Sequence, residues 1–555
     1  MTEVAPSPSL VRGPPLEDEP GLGALTLPGY LREVTERFAA REAVVFHSPH
    51  GVIRWDYATL WDKAVAVAKA LIARGLGKDG RVGILMSNRP EWLAATFGIS
   101  LAGGVAVPLS TFSTRDELEH LLAASDISVL LLERTLLKRD FLADLHAIEP
   151  ALAGTPPFRC PRFPYLRRIV ALDHTTGAGE WQRFLEEGRD VDTALVDAAA
   201  AQVRPSDTAV LFFSSGSTRL PKGILSAHRG VAIQLWRWAR IYALEGDLRC
   251  WAANGLFWSG VFGMALGMTF SAGGAIVLQP TFAAEEALQL MEREKVNVPL
   301  AWAHQWARLA EAAADMPVDL SSLRYLDSDT PLAAHPTVPR GWKEPTGYGV
   351  TETFTICVAW PEGTPSAIRG TSHGEVLPGN TVKIVDPLTG TIVPRGISGE
   401  IVVRGPTLML NYVGIPAGET LDAEGYFHTG DGGHFDESGR LFWEGRLDDI
   451  IKTGGANVSP AEVDAVLATC PGVKLASTVG VPHDTRGEMV VACIVAREDA
   501  LLDEAGIRTF LNERLASYKV PRRVLFLREE ELPLTGSAKV KLAALRDVAQ
   551  RHLAS

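Results

Sequence analysis

A loop rich in hydroxyl groups is the first segment of the sequence that could do chemistry. Residues 214–223 read SSGSTRLPKG, and they directly follow an apolar run at 209–213 that is typical of a buried strand. Four hydroxyls, two glycines and one lysine would offer a phosphate chain flexible backbone N–H groups, side-chain donors and a mobile cation. The segment does not satisfy the G-x-x-x-x-G-K-[ST] pattern of a P-loop, and a serine-rich surface turn would have the same composition.

Two carboxylates and a lysine further along the chain could complete a nucleotide site. Glu352 follows the segment Gly347-Tyr348-Gly349, and a Mg²⁺ ion carried by nucleotide phosphates needs only one or two such oxygen ligands from the protein. Asp431 ends a strand-like run, where it could accept hydrogen bonds from both hydroxyls of a ribose, with Arg446 as the complementary donor. Lys539 could bring a compact positive charge to a phosphate on which negative charge develops. Each of these residues, taken alone, could equally be a solvated surface group.

These residues lie in a series of segments that resembles the class I adenylate-forming enzymes, the superfamily of acyl-CoA synthetases, adenylation domains and firefly-type luciferases. The loop at 214–223 looks like the family's phosphate-binding signature. Further signatures follow in the family's order: GYGVTE at 347–352, YFHTGD at 426–431, GRLDDIIK at 445–452, GG at 454–455, VSPAEV at 458–463, YKVP at 518–521 and PLTGSAK at 533–539. Together the matches span residues 214–539, whereas residues 23–213 agree with the family only in general pattern.

The resemblance implies a role for each matched residue. It assigns ATP or AMP binding to the following residues: Ser214, Ser215, Gly216, Ser217, Thr218, Lys222, Asp329, Tyr348, Gly349, Thr351, Asp431, Arg446, Lys452 and Lys539. The implied catalytic residues are Lys539, which acts in adenylation, Glu352, which binds Mg²⁺, and Thr351, which contacts the α-phosphate. Tyr348 stacks on the adenine. Lys541 is the competing candidate for the adenylation lysine, and the family's spacing favours Lys539.

Three departures from the family's pattern bear on this site. Arg219 stands where glycine is most frequent, so that either the turn is reshaped or a second cation reaches the pyrophosphate. Ala538 replaces the glycine that usually precedes the adenylation lysine. The segment Asp327-Ser328-Asp329-Thr330 replaces a glycine pair before the adenine loop, and we expect it to contact the adenine through its backbone.

An acyl pocket is expected near Trp258. The segment Gly255-Leu256-Phe257-Trp258 stands where many relatives have Pro-Leu-Phe-His, so Trp258 is the leading candidate for an aromatic gate to the pocket. We assign Trp302 and Gly349 to the same pocket. Six tryptophans lie between residues 236 and 306, which suits a wide apolar pocket for a bulky acid, although core packing should account for at least half of them.

Alternating helices and strands must position these residues in the first two thirds of the chain. Helical patterns at 61–74 and 284–294 and β-branched runs at 81–86 and 129–132 indicate βα units around a parallel sheet. After about residue 370, short strands with frequent turns predict a small twisted sheet or barrel. The predicted fold is therefore α/β, with a large N-terminal region of two α/β subdomains plus a small β-barrel-like sheet, and with a mobile α+β C-terminal lid.

The chain is predicted to consist of three segments. Residues 1–22 are predicted to be a flexible tail, because they combine five prolines with no apolar core and no charge pattern of a secretory signal. Residues 23–446 are predicted to form the AMP-binding region that holds the acid and ATP sites. Residues 447–555 are predicted to form the lid.

The composition limits the expected partners and location. A formal net charge of −12 over 555 residues argues against nucleic acid as a partner, because binding to phosphate backbones requires a basic surface. The uncharged stretches at 94–114 and 250–284 are interrupted by glycine, proline and polar residues, so we expect no integral membrane association. Five scattered cysteines suggest neither a disulfide framework nor a zinc site. We expect a cytoplasmic monomer or homodimer.

The resemblance implies a two-step acid–CoA ligase with Mg²⁺ as cofactor and ATP and CoA as co-substrates. A hydrophobic or bulky carboxylic acid attacks the α-phosphorus of ATP to give an acyl-AMP and pyrophosphate, and the thiol of coenzyme A then displaces AMP. The lid is expected to turn about Asp448 between the steps, so that Lys539 serves the first and Gly454 and Gly455 approach the CoA in the second. The alternatives are an acyl-AMP ligase that loads a carrier protein and a non-catalytic nucleotide-binding regulator.

Overall fold

The computed structural model describes residues 7–48, 51–172, 179–214, 221–361, 363–453, 456–483, 487–497, 500–534 and 540–554. The strands in these ranges are β1 (Leu10–Arg12), β2 (Glu42–Ser48), β3 (Gly51–Asp56), β4 (Arg81–Leu85), β5 (Val105–Pro108), β6 (Val129–Glu133), β7 (Thr135–Leu136), β8 (Arg139–Asp140), β9 (Arg168–Leu172), β10 (Thr208–Ser214), β11 (Lys222–Ala227), β12 (Arg249–Ala252), β13 (Ala275–Leu278), β14 (Val298–Leu300), β15 (Gly347–Tyr348), β16 (Val358–Ala359), β17 (Glu375–Val376), β18 (Thr381–Val385), β19 (Gly399–Arg404), β20 (Asn411–Tyr412), β21 (Phe427–Phe435), β22 (Leu441–Arg446), β23 (Ile451–Thr453), β24 (Ala456–Val458), β25 (Val473–His483), β26 (Gly487–Ala496) and β27 (Arg523–Phe526). The helices are α1 (Leu27–Phe38), α2 (Tyr57–Ala73), α3 (Pro90–Leu101), α4 (Arg115–Ser125), α5 (Phe141–Ile148), α6 (Glu180–Glu187), α7 (Thr193–Ala201), α8 (His228–Ile241), α9 (Ser259–Val261), α10 (Gly267–Phe270), α11 (Ala284–Glu294), α12 (Ala303–Ala314), α13 (Ser366–Arg369), α14 (Pro460–Ala468), α15 (Glu504–Asn512) and α16 (Leu542–Ala554), with a π-helical turn at Phe262–Leu266 between α9 and α10.

A seven-stranded sheet organises the first α/β subdomain. Its strand order is β20-β11-β10-β5-β4-β6-β9, and the strands from β10 to β9 run parallel. All five residues of β6 are buried, as expected for a parallel strand that is covered on both faces. The antiparallel strands β11 and β20 extend one edge of this sheet.

A second sheet, of order β14-β12-β13-β2-β3, organises the second α/β subdomain. The largest hydrophobic core contains side chains from both sheets and from the helices between them, including the fully buried Trp92, Phe262 and Phe270. The uncharged stretch at 250–284 supplies part of β12, the helices α9 and α10, and β13, so its apolar character reflects burial in the core. No helix in the described ranges is both long and apolar enough to cross a membrane.

The small sheet predicted after residue 370 is antiparallel and open. Its strand order is β1-β18-β19-β21-β22, and in the described residues its outer strands, β1 and β22, do not pair with each other. The prediction of a twisted sheet is therefore confirmed, whereas the described strands do not close into a barrel.

The N-terminal segment is part of this sheet. β1 pairs with β18, with Leu10 opposite Lys383. Further along, Glu19 accepts hydrogen bonds from Arg237 Nε at 2.8 Å and Nη2 at 2.7 Å, and the side chains of this ion pair are 5% and 1% exposed. The prediction of a flexible tail is thus wrong for residues 7–22, because a free sheet edge and a buried arginine both take partners from this proline-rich segment.

The C-terminal lid begins after β22 ends at Arg446. Its sheet has the order β24-β23-β26-β25, with β27 beside β26. Ser459 caps α14 by accepting a hydrogen bond from the backbone N–H of Glu462, and Pro460 occupies the first helical position. Two hydrophobic clusters consist entirely of residues after position 450, so the lid has cores of its own.

Candidate active site

The candidate phosphate loop connects two strands at the edge of the seven-stranded sheet. Ser214 ends β10 and Lys222 begins β11, and these two residues are direct cross-strand partners. The predicted site residues between them, Ser215, Gly216, Ser217 and Thr218, lie outside the described residues, as does Arg219. Strand pairing therefore holds the two residues that flank the loop beside each other.

Thr351 and Glu352 lie on a tight 3₁₀ turn (Thr351–Thr353) that follows β15. A Cβ atom on Gly349 would lie 1.7 Å from the carbonyl oxygen of Thr355, so only glycine lets the chain pass at this point. Thr355 itself has a φ of 93°, a left-handed conformation that costs a threonine free energy. The turn is therefore held in one shape by its surroundings, and both predicted side chains are partly exposed on it.

Tyr412 joins Glu352 to the end of the phosphate loop. Its hydroxyl donates a hydrogen bond to Glu352 Oε1 at 2.6 Å, and Lys222 Nζ lies 5.4 Å from the centre of its ring. Burial, followed by the charge of Glu352, raises the pKa of Tyr412 above its ordinary value, so the hydroxyl keeps its proton. The sequence analysis missed Tyr412, because this contact depends on the pairing of β20 with β11.

Tyr348, Asp431 and Arg446 form a second cluster. The Tyr348 hydroxyl donates to Asp431 Oδ2 at 2.7 Å, and Arg446 Nη1 lies 3.2 Å from Asp431 Oδ1. The register of β21 and β22 places Asp431 opposite Arg446. Burial raises the pKa of Asp431, and the contacts with Tyr348 and Arg446 oppose this shift. Three residues assigned to the nucleotide are thus in contact, although their roles toward adenine and ribose stay predictions.

A cavity of about 1250 Å³ lies between the N-terminal region and the lid. Aromatic side chains line it on the N-terminal side: Tyr242, Trp302, Trp306, Tyr325 and Trp342. Asp329 also faces this cavity and pairs with Lys343. The lid contributes Asp464, Lys474 and Arg497. Of the residues predicted from the sequence, the structure therefore places Trp302 and Asp329 on one wall.

Trp258 does not lie among the described residues that line this cavity. Its ring packs 5.5 Å from that of Phe257 and against the largest core, while Val261 and Met264 on the following turns face the cavity instead. The residue stands immediately before α9. Its role as a gate to the acyl pocket stays a prediction.

Three polar side chains form one end of the cavity wall. The Tyr242 hydroxyl donates to Glu344 Oε1, and the backbone N–H of Glu344 donates to Asp327 Oδ2 at 2.7 Å. Glu344 is open to the cavity, yet protein atoms surround it on most sides, and this desolvation raises the pKa of its carboxyl. The sequence analysis missed Tyr242 and Glu344, because Tyr242 follows the end of α8, about a hundred residues before Glu344.

The lid residues are only partly described. Asp448 is exposed in a 3₁₀ turn (Leu447–Asp449) between β22 and β23, and Lys452 is exposed on β23. Lys539, Gly454 and Gly455 lie outside the described residues. Lys474 connects the lid to the N-terminal region, since its Nζ lies 2.7 Å from Glu311 on α12 and 2.9 Å from Glu529 of the lid.

Comparison with protein families identifies two domains. The family model of the AMP-binding enzyme matches residues 31–413, and the model of the AMP-binding enzyme C-terminal domain matches residues 462–539. The first match covers more than half of the chain and includes the phosphate loop, the turn with Glu352 and Tyr412. The second contains α14 and the segment that ends at Lys539.

Curated relatives extend over nearly the whole chain. A 3-[(3aS,4S,7aS)-7a-methyl-1,5-dioxo-octahydro-1H-inden-4-yl]propanoyl:CoA ligase from Mycobacterium tuberculosis is 31% identical over 89% of this chain and 94% of its own length. An indoleacetate–CoA ligase from Aromatoleum aromaticum is 30% identical over 89% and 93%. A feruloyl-CoA synthase from Amycolatopsis is 31% identical over 90% and 94%.

Solved structures of CoA ligases share the fold. An anthranilate CoA ligase in complex with anthranoyl-AMP superimposes with a TM-score of 0.79 at 26% identity, covering 97% of this chain and all of the other. ATP-bound MatB from Rhodopseudomonas palustris gives a TM-score of 0.76 at 25% identity, covering 94% and 99%. With the two matched domains and the full-length relatives, the chain belongs to the AMP-binding enzyme family and is an AMP-forming acyl-CoA ligase.

Proposed function

We propose that this acyl-CoA ligase activates a bulky, largely hydrophobic carboxylic acid and transfers it from acyl-AMP to coenzyme A. The observation that carries the proposal is the aromatic cavity of about 1250 Å³, which is large enough for a polycyclic or aryl acid. The relatives support the same class, since by their names they act on a bicyclic propanoate, an indole acid and ferulate.

The contacts between loop and turn support the assignment of the nucleotide phosphates. Ser214 and Lys222 flank the loop, and Tyr412 connects Lys222 to Glu352. In this arrangement Lys222 and the loop hold the outer phosphates, while Thr351 holds the α-phosphate in line with the substrate carboxylate. The chain's contribution to the first step is thus orientation and compensation of charge.

Glu352 is suited to be the protein ligand of a Mg²⁺ ion. The described residues contain no group of three or more His, Cys, Asp or Glu side chains that could hold a metal. A single carboxylate oxygen, fixed by Tyr412, suits an ion that takes its other ligands from ATP and water. When bound, Mg²⁺ would neutralise charge on the phosphates, and Glu352 would determine where it sits.

The lid supplies the remaining groups. Lys539 is assigned to the α-phosphate in adenylation, and Gly454 and Gly455 to the approach of the CoA thiol. The exposed turn at Asp448 connects the lid to β22, which is where a rotation between the two steps would take place. One pocket cannot hold Lys539 and the thiol at the same carbonyl, so the two steps require two lid positions.

The proposal is tested with a panel of aryl, polycyclic and fatty acids. Pyrophosphate release is measured with ATP and each acid, and AMP and acyl-CoA are measured after CoA is added. We expect pyrophosphate release that depends on the acid and acyl-CoA that depends on CoA, with the highest kcat/KM for bulky apolar acids. Glu352→Gln should reduce pyrophosphate release by about a hundredfold, as for the loss of one preorganised charge.

The two alternatives give different results in the same assay. An enzyme that loads a carrier protein would release pyrophosphate with an acid but would form no acyl-CoA. A nucleotide-binding regulator would bind ATP but would not release pyrophosphate with any acid of the panel. Preference for short, polar acids would contradict the assignment of the aromatic cavity.

A further inference from the structure

The aromatic cavity is lined by more acidic than basic side chains. Five lining residues are acidic, namely Glu311, Asp327, Asp329, Glu344 and Asp464, whereas two are basic, namely Lys474 and Arg497. Both substrates that enter in the first step, ATP and a carboxylate, are anions. An anionic wall repels them, so at least one of these carboxylates must serve some purpose other than compensation of charge.

Three of the five carboxylates have partners that account for them. Glu311 pairs with Lys474 at 2.7 Å, and Asp329 pairs with Lys343. Asp327 accepts hydrogen bonds from the backbone N–H groups of Asp329 and Glu344, each at 2.7 Å. Lys343 Nζ also lies 3.6 Å from Asp327 Oδ1. These three carboxylates contribute to the structure of the cavity wall. Asp464 belongs to the lid. Among the described residues that line the cavity, Glu344 is therefore the one carboxylate of the N-terminal region that is not paired with a lysine or arginine.

Glu344 is held in place, but one of its carboxylate oxygens can still accept a hydrogen bond. The bond to Asp327 fixes its backbone, and the Tyr242 hydroxyl is bound to Oε1. Oε2 receives no hydrogen bond from the residues that the structure describes. The Tyr242 hydroxyl donates its proton to Glu344, so its own lone pairs can still accept a hydrogen bond.

Aromatic rings surround this acceptor pair. The centres of the Tyr242 and Trp342 rings are 5.5 Å apart, and those of Tyr325 and Trp342 are 5.8 Å apart at an angle of 89°. A few fixed polar groups within an apolar wall are typical of sites that orient a small molecule. The apolar rings would contact the body of the acid, and Glu344 would meet one polar group on it.

Glu344 is separated along the chain from the place of reaction. Thr351, which is assigned to the α-phosphate, follows Glu344 by way of β15. Among the described residues, Ser214, Lys222 and Thr351 do not line the cavity, whereas Glu344 does. An acid that extends from Thr351 into the cavity would therefore present to Glu344 the end remote from its reacting carboxylate.

We propose that Glu344, with Tyr242, selects acids that carry a hydrogen-bond donor, a hydroxyl or an N–H group, at the end remote from the reacting carboxylate. This inference rests on the proposed function. An acceptor pair that a bound acid covers without offering a donor would disfavour an acid that ends in a methyl group. An acid with a second carboxylate would meet Glu344 and Asp327 and would be rejected by their charge.

The test compares 3-phenylpropanoic acids that differ only at the para position, which carries hydroxyl, methyl, aminomethyl or carboxylate. kcat/KM for CoA-dependent AMP release is measured with the full-length protein and with Glu344→Gln, Tyr242→Phe and a control, Glu375→Gln, on the exposed residue Glu375 of β17. The hydroxyl and aminomethyl arms distinguish a neutral donor from a cation. Thermal melting with ATP shows whether each variant is folded.

We expect the wild type to prefer the hydroxyl acid to the methyl acid by about tenfold or more, the value of one hydrogen bond to a charged acceptor, and to use the dicarboxylate poorly. Glu344→Gln should reduce the preference for donors and raise use of the dicarboxylate about tenfold, with KM for ATP unchanged. Tyr242→Phe keeps the ring and should reduce the hydroxyl preference. The control should match the wild type.

Two results would overturn the inference, and they differ. If the acids are used but their ranking is the same in folded Glu344→Gln and Tyr242→Phe as in the wild type, Glu344 does not select the substrate and the proposed function stands. If none of the acids in this panel or in the broader panel supports AMP formation by the wild type, the proposed function fails, and this inference fails with it.

Discussion

One tyrosine contacts both charged groups that the phosphates would meet. Tyr412 donates to Glu352, and its ring lies beside Lys222. A carboxylate that binds a metal through one oxygen binds it more tightly when other interactions fix its orientation. If the carboxylate rotated freely, it would spend less time in the orientation that binds the metal. Tyr412 is thus a positioning residue for Glu352, whereas Glu352 itself would contact the bound ion.

Tyr412→Phe separates these two contacts, since it keeps the ring beside Lys222 but removes the hydroxyl from Glu352. We expect the Mg²⁺ concentration needed for half-maximal pyrophosphate release to rise about tenfold, as found for the loss of groups that orient a metal ligand. KM for the acid should not change. The measurement is a Mg²⁺ titration at fixed ATP.

The matched control is Tyr426→Phe. Tyr426 also lies beside a lysine, with Lys383 Nζ 4.0 Å from the ring centre, but it is not in contact with Glu352. An unchanged Mg²⁺ dependence in Tyr412→Phe, or an equal change in both variants, would show that the hydroxyl does not position Glu352.

The residues proposed from the sequence differ from those added by the structure in how local their signal is. Glu352, Asp431 and Lys222 stand in short segments with a recognisable order, so their assignment, which stays a prediction, needed no tertiary structure. Tyr412 and Glu344 take their contacts from strand pairing and from Tyr242, which is distant in sequence. Trp258 packs against the largest core, and its role at the acyl pocket stays a prediction.

At the scale of elements, α14 carries an acid in an unfavourable setting. Burial raises the pKa of Asp464 to about 7, and its Oδ1 has no hydrogen-bond partner in the part of the chain that the structure describes. The folded protein therefore holds a proton between about pH 4 and pH 7 that the unfolded chain releases. Its contribution to stability is fully present at low pH and is lost as the pH rises through this window.

Asp464→Asn should remove this penalty. We expect the melting temperature at pH 8 to rise by about 3 °C relative to the wild type. The difference should shrink as the pH falls to about 3, where the wild-type carboxyl is protonated in both states. Calorimetric melts of both proteins across this range provide the measurement.

Asp386→Asn serves as a control of opposite sign. Backbone hydrogen bonds from Thr389 and Leu388 lower the pKa of Asp386, so its stabilisation is present above its ordinary pKa and is lost as the pH falls. This variant should melt lower than the wild type at pH 8 and approach it in acid. A shift for Asp464→Asn that is the same at every pH would contradict the buried charge.

Elements with a regular pattern were predicted most closely. α11 has the predicted bounds, and β4 and β6 each differ from the predicted run by one residue at the C-terminal end, because helical and strand periodicity marks these elements locally. The N-terminal segment was missed for the opposite reason. Its three-residue strand has little periodicity of its own, and it is ordered by an edge of β18 that lies far along the chain.

At the scale of the whole molecule, the turn at Leu447–Asp449 is the short connection from β22 to the sheet of the lid. Lys474 ties the lid to α12 in the described arrangement. A surface ion pair of this kind is weak, so it can break when the lid turns. The backbone of the connection must then absorb the rotation.

Asp448→Pro should therefore retain one step and lose the other. Proline fixes φ near −65°, within the range of a 3₁₀ turn, and so restricts the dihedral change at this residue. We expect acid-dependent exchange between ATP and pyrophosphate to continue, while formation of acyl-CoA falls by at least about a hundredfold. Asp448→Ala, which leaves φ free, should support both steps. Equal loss in both steps, or none, would remove the hinge from Asp448.

The order in which the chain is synthesised gives the N-terminal strand a particular history. Leu10 pairs with Lys383, and Glu19 pairs with Arg237. At 5–20 residues per second, β1 waits roughly 20 to 75 seconds on the ribosome before its partner strand is made. β1 is thus among the last elements to reach its final place although it is made early, and the N-terminal region completes its folding only after β18 has been translated.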